Sequence, residues 1–573
     1  MSNQPLSDSA PGPAPDADEI SVHEDIHEAL RELREKEIVR LAHTPKNLRS
    51  TFAANNYVGR VVLETSRYVA YFVETWFWFA ITSCLGGLGP FDWLTMLFFA
   101  AGGTIVLFVA LIFCLTLNLP VLVSTYRRWS KKSAGGLGLA NNLNPNLFKS
   151  MTTEQVDAAK EFLSRDITQT QDYKDRNARY FNYDAAKLLL QFAAIVYEHR
   201  KEPVQAAVAA QSKGVKKRSY LFASHLKEAV KVSDVEQAEL NREMQHTLAA
   251  EDDEIIRTFC RLHGIDFEPL SELNDSSSAF AGVFWDPNSN WIVVAFKGTS
   301  PVEFGEVLSD LNTKMVSVGS SIPGFKKVHK GFRERVYPED LSKTGGIRPY
   351  DTMQLGIRRL ARWLKIKNAF PESTKINVWM TGHSLGCATA SLVYSRMLMQ
   401  PWELGDRCIL RDAYLFAAPI LTDRESVDVF NAKMLEDPKK PRVMWRITSN
   451  WDAVATLLPD LGNYTSVAVS PNNAFAFAHL GTNILLRDDI MPYAKGNHIH
   501  YGMNIHMESK FSRAELEQQR EVALAQDGER ARIWRARVLQ AIPLFGRVFA
   551  HFTPNYWDQL NRSGIEGVCE WIG

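Results

Sequence analysis

The apolar run Ile376-Asn377-Val378-Trp379-Met380-Thr381 leads straight into Gly382-His383-Ser384-Leu385-Gly386, and a helical run beginning Cys387-Ala388-Thr389-Ala390-Ser391-Leu392-Val393 follows it. Strand, G-x-S-x-G and helix in this order leave the backbone one solution. It turns sharply at the end of the strand and lifts the serine hydroxyl above the sheet. The two glycines are required because a side chain at either position would run into the neighbouring strand or helix. The pattern therefore demands a layered α/β domain with Ser384 placed to act as a nucleophile.

The surrounding sequence supplies such a domain. Residues 279–285 and 291–296 read as two strands flanking the turn Asp286-Pro287-Asn288-Ser289-Asn290. Residues 153–165, 182–199 and 351–366 are helical by periodicity, and 412–418 and 442–448 are further apolar strands. Helices alternating with buried strands predict a mostly parallel sheet covered on both faces.

A serine is a poor nucleophile at neutral pH. It needs a base, usually histidine, and an acid that orients the base. Above such a sheet the chain order is serine, acid, histidine. Asp452, in the loop after the strand Arg442–Thr448, is the expected acid, with Asp423 in reserve. His479, His498, His500 and His506 follow, and the residues alone do not separate them. An oxyanion hole needs two donors. The residue after the nucleophile, Leu385, gives one, and the loop Lys297-Gly298-Thr299-Ser300, after an earlier strand, gives the other through Thr299.

These residues resemble the class 3 lipases, the family of the filamentous-fungus triacylglycerol lipases. The resemblance rests on Val293–Thr299, Val328-His329-Lys330-Gly331-Phe332, the elbow Gly382–Gly386, Trp451-Asp452-Ala453-Val454 with Leu458-Pro459, and Phe477–Gly481, and it covers roughly residues 180–505. It departs at Lys297, where an arginine is usual, and at Phe416-Ala417-Ala418-Pro419, where a glycine-containing turn is usual. It implies an α/β-hydrolase fold and hydrolysis of glycerolipid acyl esters without metal or cofactor. Phospholipase A1 and carboxylesterase activities are the alternatives within the enzyme class; a non-catalytic membrane scaffold is the alternative outside it. The family's catalytic histidine commonly stands three residues before a tyrosine, which selects His498, before Tyr501, with His500 in reserve. The resemblance also implies a lid over 300–309, with Val302, Phe304, Val307 and Leu308 as its apolar face.

Between Tyr68 and Tyr126 there is no lysine or arginine, and the apolar runs 68–85 and 93–117 are separated by Gly86-Gly87-Leu88-Gly89-Pro90-Phe91-Asp92. The second run is long enough to span a bilayer, which needs about 20 apolar residues. Arg60 and Arg67 precede the pair, and Arg127, Arg128, Lys131 and Lys132 follow it. By the positive-inside rule this predicts a transmembrane helical hairpin with both ends cytoplasmic. The hairpin points to the endoplasmic reticulum or a lipid droplet, whose lipid would be the substrate. The expected organisation is a polar, disordered region 1–55, an anchor 56–132, a linker 133–150 and a lipase domain 151–510. The domain carries an exposed charged helical insertion near 203–254, and a basic amphipathic extension 511–573 closes the chain. Lysine plus arginine equals aspartate plus glutamate, 65 each, which argues against a nucleic-acid partner. The six cysteines form no C-x-x-C pair, so neither a zinc site nor a disulfide framework is expected.

Overall fold

The computed structural model describes residues 25–43, 119–133, 135–165, 179–223, 234–249, 253–274, 279–299, 315–338, 347–436, 442–449, 452–456, 477–486, 503–525 and 545–571, with isolated positions between 66 and 105 and at 534 and 538. In chain order the strands are β1 (Arg179–Phe181), β2 (Asp266–Ser271), β3 (Phe280–Trp285), β4 (Trp291–Lys297), β5 (Met315–Ser317), β6 (Lys327–His329), β7 (Ile376–His383), β8 (Cys408–Phe416), β9 (Thr422–Asp423), β10 (Met444–Ser449), β11 (Phe477–Ala478), β12 (Thr482–Leu486), β13 (Met503–Ser509) and β14 (Ile565–Trp571). The helices that position the site are α1 (Ile26–His43), α2 (Thr153–Ser164), α3 (Tyr183–Ile195), α4 (Pro349–Lys367), α5 (Leu385–Met399), α6 (Arg424–Leu435) and α7 (Thr553–Ser563).

The central sheet runs β12-β10-β8-β7-β4-β3-β2. Neighbours from β12 to β4 are parallel, and β4, β3 and β2 are antiparallel. This is the mixed, mostly parallel α/β sheet expected. Side-chain alternation explains its two cores. Ile292, Val294, Phe296, Val378 and Met380 point into one layer with α1, α4 and α5. Trp291, Val293, Ala295, Trp379 and Tyr414 point into the other, with α2, α3 and α7. Both faces of each central strand are buried, which is why these strands read as unbroken apolar runs. Two smaller sheets, β1-β14-β13 and β11-β9-β6-β5, flank it.

Four segments set apart in the sequence reading carry described structure packed on the domain. The region 1–55 contains α1, whose Leu30, Leu33, Ile38 and Leu41 are buried. The Pro-, Ser-, Ala- and Asp-rich composition of residues 1–20 does not extend to this helix, and α1 docks through the buried Arg34–Glu272 pair at 2.7 Å. The segment 133–150 is not a free linker, because Leu147 is fully buried and the Asn141 amide donates to Ala194 O at 2.8 Å. In the 203–254 insertion, helices Glu202–Ala223 and Asp234–Ala249 bury Val204, Ala207, Val208, Met244 and Leu248 against Ile38 and Leu41. Finally, 511–573 is part of the same fold: β14 pairs with β1 and β13, and α7 packs on α3.

Among the described residues no helix is long and apolar enough to cross a membrane. The spans expected at 68–85 and 93–117 lie outside the described residues, apart from isolated positions.

Candidate active site

Ser384 sits between β7 and α5 with φ 58° and ψ −130°, a strained conformation for a residue with a side chain. The strain is held by packing that only glycine permits. A Cβ on Gly386 would lie 2.1 Å from the Phe296 carbonyl oxygen. The Ser384 N–H donates to Phe416 O at 3.0 Å, which ties the elbow to the end of β8.

The side chain that meets Ser384 is His551. Its Nε2 lies 2.7 Å from Ser384 Oγ, and its Nδ1 lies 2.9 and 3.0 Å from the two carboxylate oxygens of Asp452. An ionised carboxylate only accepts, so Nδ1 carries the hydrogen and Nε2 is left to accept from the serine hydroxyl. Asp452 is fully buried just beyond β10 and accepts from Val454 N at 2.7 Å, Ala455 N at 3.1 Å and the Tyr556 hydroxyl at 2.5 Å. Burial is the largest influence on its carboxyl and works against ionisation. The charge of His551 and the hydrogen bonds from His551, Tyr556 and Ala455 outweigh it and hold the group below the usual carboxylate range. Tyr556 is itself positioned by the Ser449 N–H, which donates to its oxygen at 3.0 Å.

Asp452 and the elbow therefore meet in space, and the histidine between them is His551. His498 and His500 lie outside the described residues. His506 is on β13, paired with Val568 of β14. His479 follows β11, in the small sheet. Asp423 caps α6, accepting from Ser426 N at 3.1 Å, and is structural. The tyrosine expected near the base is present with a different spacing, His551 to Tyr556, just before and within α7. A usable signal existed in the order rule alone, since His551 also follows Asp452 and is the last histidine of the chain.

Leu385 opens α5, so its N–H is one of the first-turn donors without an intrahelical partner. Thr299 is only 7 % exposed, and its hydroxyl has no hydrogen-bond partner among the described residues. The loop carrying it presses against the elbow: a Cβ on Gly298 would lie 3.0 Å from Ser384 Cβ and 2.5 Å from His383 O. The loop that carries this buried, unengaged hydroxyl is thus packed against the nucleophile elbow. The lid residues Val302, Phe304, Val307 and Leu308 lie outside the described residues. Among the described residues no cluster of histidine, cysteine or acidic side chains has metal-binding geometry.

Residues 293–461 match the class 3 lipase family. Among solved structures, a native Rhizomucor miehei lipase propeptide complex is 18 % identical with a TM-score of 0.25, covering 39 % of this chain and 58 % of its own. Lipase II from Rhizopus niveus is 14 % identical with a TM-score of 0.28, over 54 % of this chain and 83 % of its own. Lip2 lipase from Yarrowia lipolytica is 14 % identical with a TM-score of 0.27, over 40 % and 69 %. No curated protein matches the chain significantly.

Proposed function

We propose that this chain is a serine ester hydrolase of lipase type that cleaves acyl esters of glycerolipids. The observation that carries the reading is the unbroken row from Ser384 Oγ through His551 to buried Asp452, set on a strained elbow. In this reading His551 Nε2 takes the serine proton as Oγ attacks the acyl carbonyl. The tetrahedral oxyanion forms against Leu385 N–H and Thr299. His551 then delivers the proton to the leaving alcohol, water repeats the sequence on the acyl-enzyme, and the fatty acid departs. Asp452 stabilises the imidazolium that exists between the two transfers. No cofactor enters these steps.

The lipid assignment rests on the class 3 lipase match over 293–461 and on the apolar runs 68–85 and 93–117. We place those runs as a membrane hairpin of the endoplasmic reticulum or a lipid droplet, with the serine domain on the cytoplasmic side. A lid over 300–309 belongs to the same reading. The test is reaction of the purified chain with a fluorophosphonate, together with release of fatty acid from a panel of acylglycerols and phospholipids. Labelling at Ser384 and acylglycerol hydrolysis, both lost in Ser384→Ala with folding intact, are expected. Retained activity in Ser384→Ala refutes the nucleophile, and exclusive hydrolysis of phospholipids or of soluble esters moves the assignment to a phospholipase A1 or a carboxylesterase.

A further inference from the structure

The span that matches the lipase family, 293–461, contains the nucleophile, the acid and the oxyanion loop but not the base. His551 comes from the C-terminal segment, and a second segment from before the span, the turn after α3, brings Tyr197 into the site. Both incoming segments meet one side chain, His383, the variable residue of the elbow.

His383 is buried and both its ring nitrogens are engaged. Nε2 lies 2.7 Å from the backbone carbonyl of His551, and Nδ1 lies 2.8 Å from the Tyr197 hydroxyl. A carbonyl only accepts, so Nε2 carries the hydrogen. Nδ1 is then the acceptor, and the Tyr197 hydroxyl donates to it. The Tyr197 oxygen also packs directly on Gly298 of the oxyanion loop. One string of donor and acceptor runs from Tyr197, which packs on the oxyanion loop at Gly298, through His383 to the main chain of His551. Every member has a single consistent hydrogen assignment. The string is closely packed: a Cβ on Gly298 would lie 2.1 Å from the Tyr197 oxygen, and the His383 and His551 rings are 4.8 Å apart.

We propose that His383 and Tyr197 are positioning residues that hold the His551 backbone and the Gly298–Thr299 loop in register with Ser384. The inference rests on the hydrolase reading of the same site. A second property fits the role. Burial, reinforced by the charge of His551, pushes the His383 ring down to about 3, so it stays neutral when its neighbour takes the serine proton. A charged imidazole at this place would repel the imidazolium on which the reaction depends. The string also answers a problem set by the chain itself. The base is 167 residues from the nucleophile in sequence, on a segment with no covalent reason to sit still above it. A hydrogen bond to its backbone fixes it and leaves its side chain free to exchange a proton.

The experiment uses the full chain and the variants Tyr197→Phe, His383→Leu and His383→Gln. It measures kcat and KM on a soluble nitrophenyl ester, normalised to sites titrated by a fluorophosphonate, with thermal melting alongside. Glutamine carries an amide N–H at about the reach of Nε2; leucine does not. The expected result is a kcat about 10-fold lower in Tyr197→Phe and about 100-fold lower in His383→Leu, with KM within about 2-fold. His383→Gln regains about 10-fold of the leucine loss. Unchanged kcat per titrated site with a lower melting temperature means packing alone, and overturns the inference. So does a glutamine variant no better than leucine. Should His383→Leu not fold, Tyr197→Phe, which removes one atom, decides by the same criterion. A wild-type chain inert to both probe and ester overturns the hydrolase reading and this inference with it, whereas a reactive wild type with unaffected variants overturns only the positioning role.

Discussion

Replacing His551 by alanine separates the two possible sources of the base. The substitution removes the acceptor 2.7 Å from Ser384 Oγ and the donor to Asp452, but leaves the His551 carbonyl that His383 holds. A positioned base is worth about 10²–10⁴ in rate, and because the serine, base and acid act as a unit the loss should reach the upper end, about 10⁴ in kcat. The folded state should survive. Asp452 keeps its donors at Val454 N, Ala455 N and the Tyr556 hydroxyl, so the stability loss is that of one charge-assisted hydrogen bond, about 1.5–3 kcal/mol. For a domain of this size that lowers the melting temperature by less than about 10 °C. The assay is ester hydrolysis with fluorophosphonate labelling rates, run beside His498→Ala, which should stay within about 3-fold of wild type if His551 is the base. His551→Ala retaining more than about a tenth of the activity, or His498→Ala losing it, refutes the assignment of the base.

Other outcomes follow from the same geometry. Tyr556→Phe removes the 2.5 Å donor to Asp452 and should lower kcat about 10-fold with little change in KM; an unchanged kcat in steady-state assays shows that Tyr556 only packs. Thr299→Val keeps the shape but deletes the unengaged hydroxyl, and should cost about 10²-fold in kcat; a loss under about 3-fold would leave the oxyanion to backbone donors. Glu37, on the buried face of α1, is raised from 4.5 to about 7, chiefly by burial, with Arg40 opposing and Glu272 adding. Its folded-state value exceeds the unfolded one, so its contribution to stability is complete below 4.5 and is lost as pH rises through about 7. Urea unfolding at pH 5 and pH 8 should therefore show wild type losing stability relative to Glu37→Gln, by about 2 kcal/mol, and an unchanged difference contradicts the burial argument.

Local steric rules made much of this protein legible from its sequence. G-x-S-x-G between strand and helix announces an elbow because only glycine survives there, as the Gly386–Phe296 approach confirms. Asp452 was expected beside the elbow because residues just past the carboxyl end of a strand gather there, and the structure places it there. Tyrosine–histidine spacing did not point to His551, because no local rule fixes how far along the chain a histidine must lie once a long segment can fold back. The N-terminal helix was missed for a related reason. Its polar faces are buried by partners such as Glu272 and Ser271, more than 200 residues away.

By itself, then, the sequence determined the kind of domain, the elbow that lifts Ser384, the place of Asp452 beyond its strand and the loop facing them, since each is set by the conformational limits of a few adjacent residues. Only the tertiary structure decided that His551 is brought to Ser384, that Tyr556 steadies Asp452, and that α1 and the C-terminal segment belong to the same fold. Those facts depend on which distant surfaces bury one another, and hydrogen bonds across 99, 104 and 167 residues leave no periodicity in the chain that makes them.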